Sequence, residues 1–240
     1  MNWKGKEGNR LMAMKLSKRL LAIAAMVDPS SYLADIGSDH GFLPIHLVQE
    51  GKIQWAQAVE NKMGPYLNLK HNVESAGLST HISVTFSDGI SSLNGGVDTL
   101  VLAGMGGQLT IDILSSHVEN LDNIQTIILD PHKDLSKTRY ALAKLGYHIV
   151  DEAMVHEDKI YYCIMKFRKG EPKRPYTVEE LMFGPVIMKK RDETFRSYLL
   201  HQKAKLNKLL NGPISKESRE KYLRQYRLVK AQLDRYPESE

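Results

Sequence analysis

The sequence predicts an α/β protein: a mostly parallel, Rossmann-like sheet of seven strands that finishes in an antiparallel hairpin, followed by a helical appendage. Three observations carry this expectation. Strand-like apolar runs alternate with helix-like segments from about residue 30 to about residue 145, the pattern of successive βαβ units. Two further strand-like runs are separated only by Glu157-Asp158-Lys159, too short a link for a crossover, so they must pair antiparallel. Beyond Arg168 the composition changes to a linker, Lys169-Gly170-Glu171-Pro172-Lys173-Arg174-Pro175, and then to helical periodicity.

The elements follow in order. Within residues 11–27 the apolar positions Leu16, Leu20, Ile23, Ala24 and Val27 recur at helical spacing, and Pro29 ends the pattern. Strands are expected near 32–36, 54–60, 81–86, 97–103 and 124–129, with helices opening near 41, 64, 107 and 134. Thr99-Leu100-Val101-Leu102-Ala103 and Thr126-Ile127-Ile128-Leu129 are continuously apolar, as strands covered on both faces should be, which puts them centrally. Tyr147-His148-Ile149-Val150 and the run from Ile160 to Phe167 complete the sheet. In the appendage, Met188, Asp192, Phe195, Leu199, Gln202, Leu206 and Leu209 fall at alternating steps of four and three. So do Tyr222, Tyr226, Val229, Leu233 and Tyr236 after the turn Asn211-Gly212-Pro213, which predicts two helices folded back as an antiparallel coiled coil. The expected division is residues 1–167 for the sheet domain with its N-terminal helix and 168–240 for the linker and basic hairpin.

Composition narrows the function. With 240 residues and a 42% apolar fraction the chain can bury a real core. No apolar run approaches a membrane span, and the start lacks a signal-peptide pattern, so a soluble cytoplasmic protein is expected. The single cysteine, Cys163, sits in an apolar strand and excludes a disulfide framework. The nine histidines offer no metal-ligand spacing, so no metal site is expected. The net charge of +5 is unevenly spread: from Arg168 onward there are 18 basic and 10 acidic residues, leaving a small acidic excess before it. Lys189, Lys190, Arg196, Lys203, Lys205, Arg219, Arg224, Arg227 and Lys230 lie largely outside the apolar seam, a footprint suited to a polyanion such as RNA or to a merely solvated face.

The most informative stretch is Leu33-Ala34-Asp35-Ile36-Gly37-Ser38-Asp39-His40-Gly41, where an apolar strand runs into a glycine-bearing, acidic turn that opens a helix. Gly37 permits a sharp turn and Gly41 a close approach at the helix start. The third glycine of the dinucleotide fingerprint is missing, and Asp35 and Asp39 would face a pyrophosphate with like charge. A neutral or cationic nucleoside fits better. Glu60, about 20 residues on and followed by Asn61, is placed to accept hydrogen bonds from ribose hydroxyls. These residues together read as a site for S-adenosylmethionine. A phosphate-cradling G-x-x-x-x-G-K-[ST] loop is absent.

The resemblance that follows rests on four motifs in order. Asp35, Gly37, Ser38, Asp39, His40 and Gly41 resemble the first motif of class I methyltransferases, and Glu60-Asn61 the acidic ribose position. Phe86-Ser87-Asp88-Gly89 looks like the motif that reads the adenine amino group through Asp88 or a neighbouring amide. Ala103-Gly104-Met105-Gly106-Gly107 stands where that superfamily places its acceptor loop. The combination, with the basic helical hairpin and the segment Lys15 to Leu20, resembles the bacterial TrmK family over nearly the whole chain. The resemblance implies methyl transfer from S-adenosylmethionine to N1 of adenine 22 in transfer RNA, with Asp35, Gly37, Ser38, Asp39, His40, Gly41, Glu60, Asn61, Asp88, Gly89, Ala103, Gly104 and Met105 at the cofactor.

The chemistry agrees with an endocyclic nitrogen acceptor. N1 of adenine owns an in-plane lone pair, so catalysis needs in-line positioning and stabilisation of a cationic product rather than a general base. Asp88 and Asp130 are the candidate catalytic carboxylates, Asp130 with the equal alternative that Asp130-Pro131 only shapes a turn. A base buried in a stem must be flipped out, and Tyr161, Tyr162, Phe42 and Met105 are candidates to receive it. Tyr161 and Tyr162 alternate across a strand, so one of the two is expected in the core. A monomer is expected, although coiled-coil flanks also suit dimerisation. The competing readings are a methyltransferase of another RNA or of a protein, and a non-catalytic RNA-binding scaffold.

Overall fold

The computed structural model describes residues 16–237; residues 11–15 of the expected first helix lie outside them. The strands are β1 (Tyr32–Ile36), β2 (Trp55–Glu60), β3 (Ile82–Phe86), β4 (Thr99–Met105), β5 (Thr126–Pro131), β6 (Tyr147–Glu157) and β7 (Ile160–Lys169). They form one seven-stranded sheet in the order β3-β2-β1-β4-β5-β7-β6. The chain reaches one edge at β3 and returns to the other side of β1 with β4, so the strand order reverses beside β1. In open α/β sheets ligands bind outside the carboxyl ends of the strands at such a reversal. The helices are α1 (Lys18–Met26), α2 (Phe42–Gln49), α3 (Met63–Ser75), α4 (Gly107–Ser116), α5 (Leu135–Lys144), α6 (Val178–Phe183), α7 (Pro185–Lys190), α8 (Glu193–Leu210) and α9 (Lys216–Leu233). None of the described helices is long and apolar enough to cross a membrane. The described residues form two compact units, 16–101 with 119–124, and 102–118 with 125–237.

In the first unit β1, β2 and β3 run parallel, with Ile36 beside Val59 and Glu60 beside Phe86, so all three strands end at the same edge. Leu33, Ala34 and Ala58 are fully buried, which leaves the strand ends, not their middles, to carry polar chemistry. α1 begins where Ser17 accepts a hydrogen bond from the Leu20 amide at 3.2 Å. Its last turn is closed by the Lys52 ammonium, which donates to the carbonyls of Ala24 (2.6 Å) and Ala25 (3.1 Å). A cation is favoured at that negative end of the helix. The buried amide of Gln57 is fully used: it donates to Thr85 Oγ1 and the Ser92 carbonyl and accepts from the Asn94 amide. Those bonds hold the loop that follows β3.

In the second unit β5 is buried along its whole length, as its apolar sequence requires. β7 pairs antiparallel with both β5 and β6. β6 extends to Glu157, beyond the four residues the sequence suggested, because its burial alternates as one covered and one open face. The helices after the linker share this unit with the hairpin strands. The reason is a buried ion pair: Arg139 Nε donates to Glu152 Oε1 at 2.8 Å, both side chains having no solvent exposure. The guanidinium also donates to the Leu181 carbonyl at 2.8 Å and to Cys163 Sγ at 3.1 Å, and the Val186 amide donates to Glu152 Oε2 at 2.9 Å. α5, β6, β7, α6 and α7 are thus pinned by one charged pair. Gly184 (φ 93°) lies so close that a Cβ there would strike the Glu152 carboxylate.

α8 and α9 form an antiparallel hairpin, matched at both ends by the Arg219 guanidinium on the Leu210 carbonyl and the Tyr236 hydroxyl on the Asp192 carbonyl. Phe195, Leu199, Leu206 and Val229 are buried at positions the spacing predicts, whereas Gln232, outside the expected seam, is buried as well and donates to Glu179. The expected seam is shorter at its start. Arg191 turns left-handed (φ 47°) after α7, so Met188 lies outside α8, and Asp192 is its N-cap, accepting from the Phe195 amide at 2.8 Å. A carboxylate three residues before the first buried aromatic is a capping position before it is a seam position.

Candidate active site

The turn after β1 is held by backbone hydrogen bonds to β2. The amides of Gly37 and Ser38 both donate to the Val59 carbonyl, at 2.9 and 3.1 Å. Those N–H groups are therefore aimed at β2, whereas a pyrophosphate loop would keep them for its ligand. Gly41, at φ 71°, starts α2, and a Cβ there would come within 2.6 Å of Leu69 Cδ1 on α3. The glycine thus serves the packing of α2 against α3 as well as the turn. His40 stacks on Phe42 with ring centroids 5.0 Å apart and lies 3.5 Å from the Asp39 carboxylate. Asp39 itself sits at φ 43°, at the tip of the turn.

Asp35 is the electrostatic centre of this unit. Its carboxyl is buried and accepts a 2.6 Å hydrogen bond from Ser38 Oγ. Burial pushes its pKa up to about 6, with the Ser38 bond and Arg19 opposing the rise and the Glu60 charge adding to it. Glu60, at the end of β2, is also buried, and its Oε1 accepts from the amides of Asn61 and Lys62, each at 3.0 Å. Asn61 reaches across to the next strand end and donates to Asp88 Oδ1 at 2.9 Å. Asp88 is exposed and its carbonyl accepts from the Ser91 amide and hydroxyl, which shapes the turn carrying Gly89. One edge of the first unit therefore presents, in sequence, Asp35, Glu60, Asn61 and Asp88. This suits a cationic nucleoside and repels a phosphate chain.

The second unit carries the residues that close β4. β4 ends at Ala103-Gly104-Met105, with Gly104 and Gly106 exposed and Ala103 and Met105 half-buried. The Met105 carbonyl accepts from the His132 amide at 3.0 Å. A Cβ on Gly107 would run into the Lys133 carbonyl and lie 2.7 Å from Thr138 Oγ1, so α4 can start here only with glycine. His132 meets Tyr162 edge-on at 6.0 Å. Tyr161 lies elsewhere, stacked on His156 at 4.3 Å with its hydroxyl 2.7 Å from Ser197 Oγ. The expectation that one of these tyrosines is core does not hold: both are half-buried, because each face of β7 at this point carries a polar partner rather than a packed layer. Asp130 is fully buried at the end of β5, and its charge acts on Cys163. Burial pushes the Cys163 thiol up to about 12, so it is not a nucleophile. Among the described residues no group of His, Cys, Asp and Glu could hold a metal ion.

The structure thus gathers Asp35, Gly37, Ser38, Asp39, His40, Gly41, Glu60, Asn61, Asp88 and Gly89 on one edge of the first unit. Ala103, Gly104 and Met105 close β4 in the second. Sequence reasoning missed His132 as a neighbour of Met105 and Tyr162; its only signal was its place one residue past Asp130-Pro131.

Comparison with known proteins follows the same lines. Residues 16–165 match the Methyltransferase domain family. The curated tRNA (adenine(22)-N(1))-methyltransferase of Bacillus subtilis is 35% identical over 187 residues, 76% of this chain and 79% of its own length. Among solved structures, a protein of the NADB-Rossmann superfamily from Streptococcus agalactiae superposes with a TM-score of 0.88 at 32% identity, covering 93% of this chain and 99% of that one. The TrmK of M. capricolum, solved with the cofactor product S-adenosyl-homocysteine, superposes with a TM-score of 0.81 at 26% identity, covering 91% and 98%. Carrying the methyltransferase domain over more than half its length and this identity to a curated relative, the chain belongs to the tRNA (adenine(22)-N(1))-methyltransferase family.

Proposed function

We propose that this protein transfers a methyl group from S-adenosylmethionine to N1 of adenine 22 in tRNA. The observation that carries the reading is the buried acidic edge, Asp35 and Glu60 ending adjacent parallel strands, in a chain of this family. The cofactor supplies an electrophilic methyl group on a cationic sulfur. Glu60 and Asn61 suit ribose hydroxyls, Asp88 and the Gly89 turn suit the adenine edge, and Asp35 with Ser38, Asp39 and His40 suits the cationic amino-acid end. Ala103, Gly104 and Met105 lie on the acceptor side.

N1 of adenine attacks with its own lone pair, so the protein's task is alignment and accommodation of positive charge on the methylated base. Asp88, being exposed, is the carboxylate better suited to answer that charge or to accept from the 6-amino group. Asp130, sealed within the second unit, suits a supporting electrostatic role. The flipped base is received beside Tyr162 and Met105, both half-buried, with the exposed His132 ring edge-on to Tyr162 and its amide on the Met105 carbonyl. We assign residues 1–167 to chemistry and 168–240 to gripping the tRNA backbone, with Lys203, Arg219, Arg224 and Arg227 contributing affinity rather than base choice. The working form is a monomer in the cytoplasm.

The test is incubation with labelled S-adenosylmethionine and unmodified tRNA transcripts, followed by nucleoside analysis. Label in 1-methyladenosine at position 22 is expected; label in another nucleoside would discard the acceptor assignment.

A further inference from the structure

The helix that follows the acceptor-side loop carries an apolar side chain on the wrong face. α4 buries Gly107, Thr110 and Leu114, one stripe at helical spacing, so position 109 falls on the solvent side where a polar residue is the norm. It is Leu109, 52% exposed. Its neighbour Gln108 is turned away and tied to its own helix, donating to Asp112 Oδ1 at 2.9 Å. The preceding loop is open: Gly104 and Gly106 are exposed and add no side chain that would hold a nucleic acid at a distance. Gly107 fixes the helix start by its packing against the Lys133 carbonyl, so Leu109 is presented from a rigid first turn and not from a loop.

Resting on the function proposed above, we propose that Leu109 is a positioning residue that enters the RNA stack in place of the extruded target adenine. Proteins that distort a duplex insert leucine, phenylalanine or methionine between base steps, because an apolar wedge replaces the lost stacking without competing for hydrogen bonds. An enzyme that modifies N1 must pull the base from its pair, and the vacated space must be filled for the open state to persist. Leu109 lies four positions after Met105, on the same unit and within one helical turn of the loop that would receive the base.

The experiment compares the wild-type protein with L109A and L109M on two tRNA transcripts, one with the target adenine paired and one with its partner nucleotide made abasic. A third transcript carries 2-aminopurine at the target position and reports unstacking by fluorescence. L109A should lose roughly tenfold to a hundredfold in kcat/KM on the paired transcript, return to within a few-fold of wild type on the abasic one, and fail to raise the fluorescence at saturating RNA. L109M, which keeps a long apolar side chain, should restore the signal. Unchanged thermal melting and cofactor affinity in L109A are expected from its exposed position and guard against a folding defect. Equal loss on both transcripts, or an unaltered fluorescence rise, would overturn the wedge. Failure of the wild-type protein to methylate either transcript would instead overturn the function on which it rests.

Discussion

The Asp35 carboxyl offers the sharpest separation of fold from function. Its pKa rises from the ordinary 3.8 to about 6, chiefly through burial. A displacement of that size amounts to roughly 3 kcal/mol. The sign follows from linkage: the folded protein holds this proton more tightly than the unfolded chain, so the contribution is fully present below about pH 4. It is lost as the pH climbs through about 6, leaving a buried negative charge at neutral pH. Asp35→Asn keeps the carbonyl that accepts from Ser38 Oγ and removes the charge. Urea unfolding without cofactor, at pH values from 4 to 8, should show the variant gaining on the wild type as the pH rises, from near zero to about 3 kcal/mol. The same variant should bind S-adenosylmethionine about tenfold or more weakly at pH 7.5 by calorimetry, the loss typical of a charged hydrogen-bond partner. Greater stability with poorer binding is the expected pair. A stability difference that stays flat across the range would refute the buried-charge argument, and undiminished binding would refute the role at the cofactor.

Other perturbations test separate parts. Glu60→Ala should abolish measurable cofactor binding while leaving the circular dichroism spectrum and melting cooperativity intact, since the Asn61 and Lys62 amides can turn to water. Glu152→Ala, which strands the Arg139 charge with no exposure, should cost about 3–5 kcal/mol in denaturant unfolding. Gly184→Ala should destabilise for a different reason, a methyl group against the Glu152 carboxylate at φ 93°, and combining it with Glu152→Ala should cost less than the two separately. Reversing Lys203, Arg224 and Arg227 together should weaken tRNA binding and flatten its salt dependence in a filter assay, with cofactor affinity held.

Much of the fold was legible because burial on both faces writes itself into sequence. β4 and β5 read as continuous apolar runs, and the Glu157-Asp158-Lys159 link forced the antiparallel pair. The acidic turn was legible through Asp35, Gly37, Asp39 and Gly41, since glycine at φ near 70° and carboxylates at strand ends have few structural uses. What stayed hidden was long-range and polar. Arg139 sits in an amphipathic helix among Lys137 and Lys144 and reads as one more solvated cation; only the fold brings Glu152, Cys163 and the Leu181 carbonyl to it. The second half of β6 was missed because an edge strand with one open face lacks an apolar run. The early end of α7 turned on Arg191 adopting a left-handed backbone, for which arginine carries no local signal.

The Arg139–Glu152 pin has a consequence for how the molecule can be divided. The sequence invites a cut at the linker, giving a catalytic piece without its basic hairpin. That cut would remove the Leu181 carbonyl that receives the guanidinium and the Val186 amide that answers the carboxylate. It would also unroof a charged pair lying against β6 and β7. The shortened chain would carry a half-solvated ion pair where the intact one has a sealed core, so β6, β7 and the helices after the linker are inherited as one folding unit, and a graft of a foreign tail would have to bring its own replacement for α6 and α7.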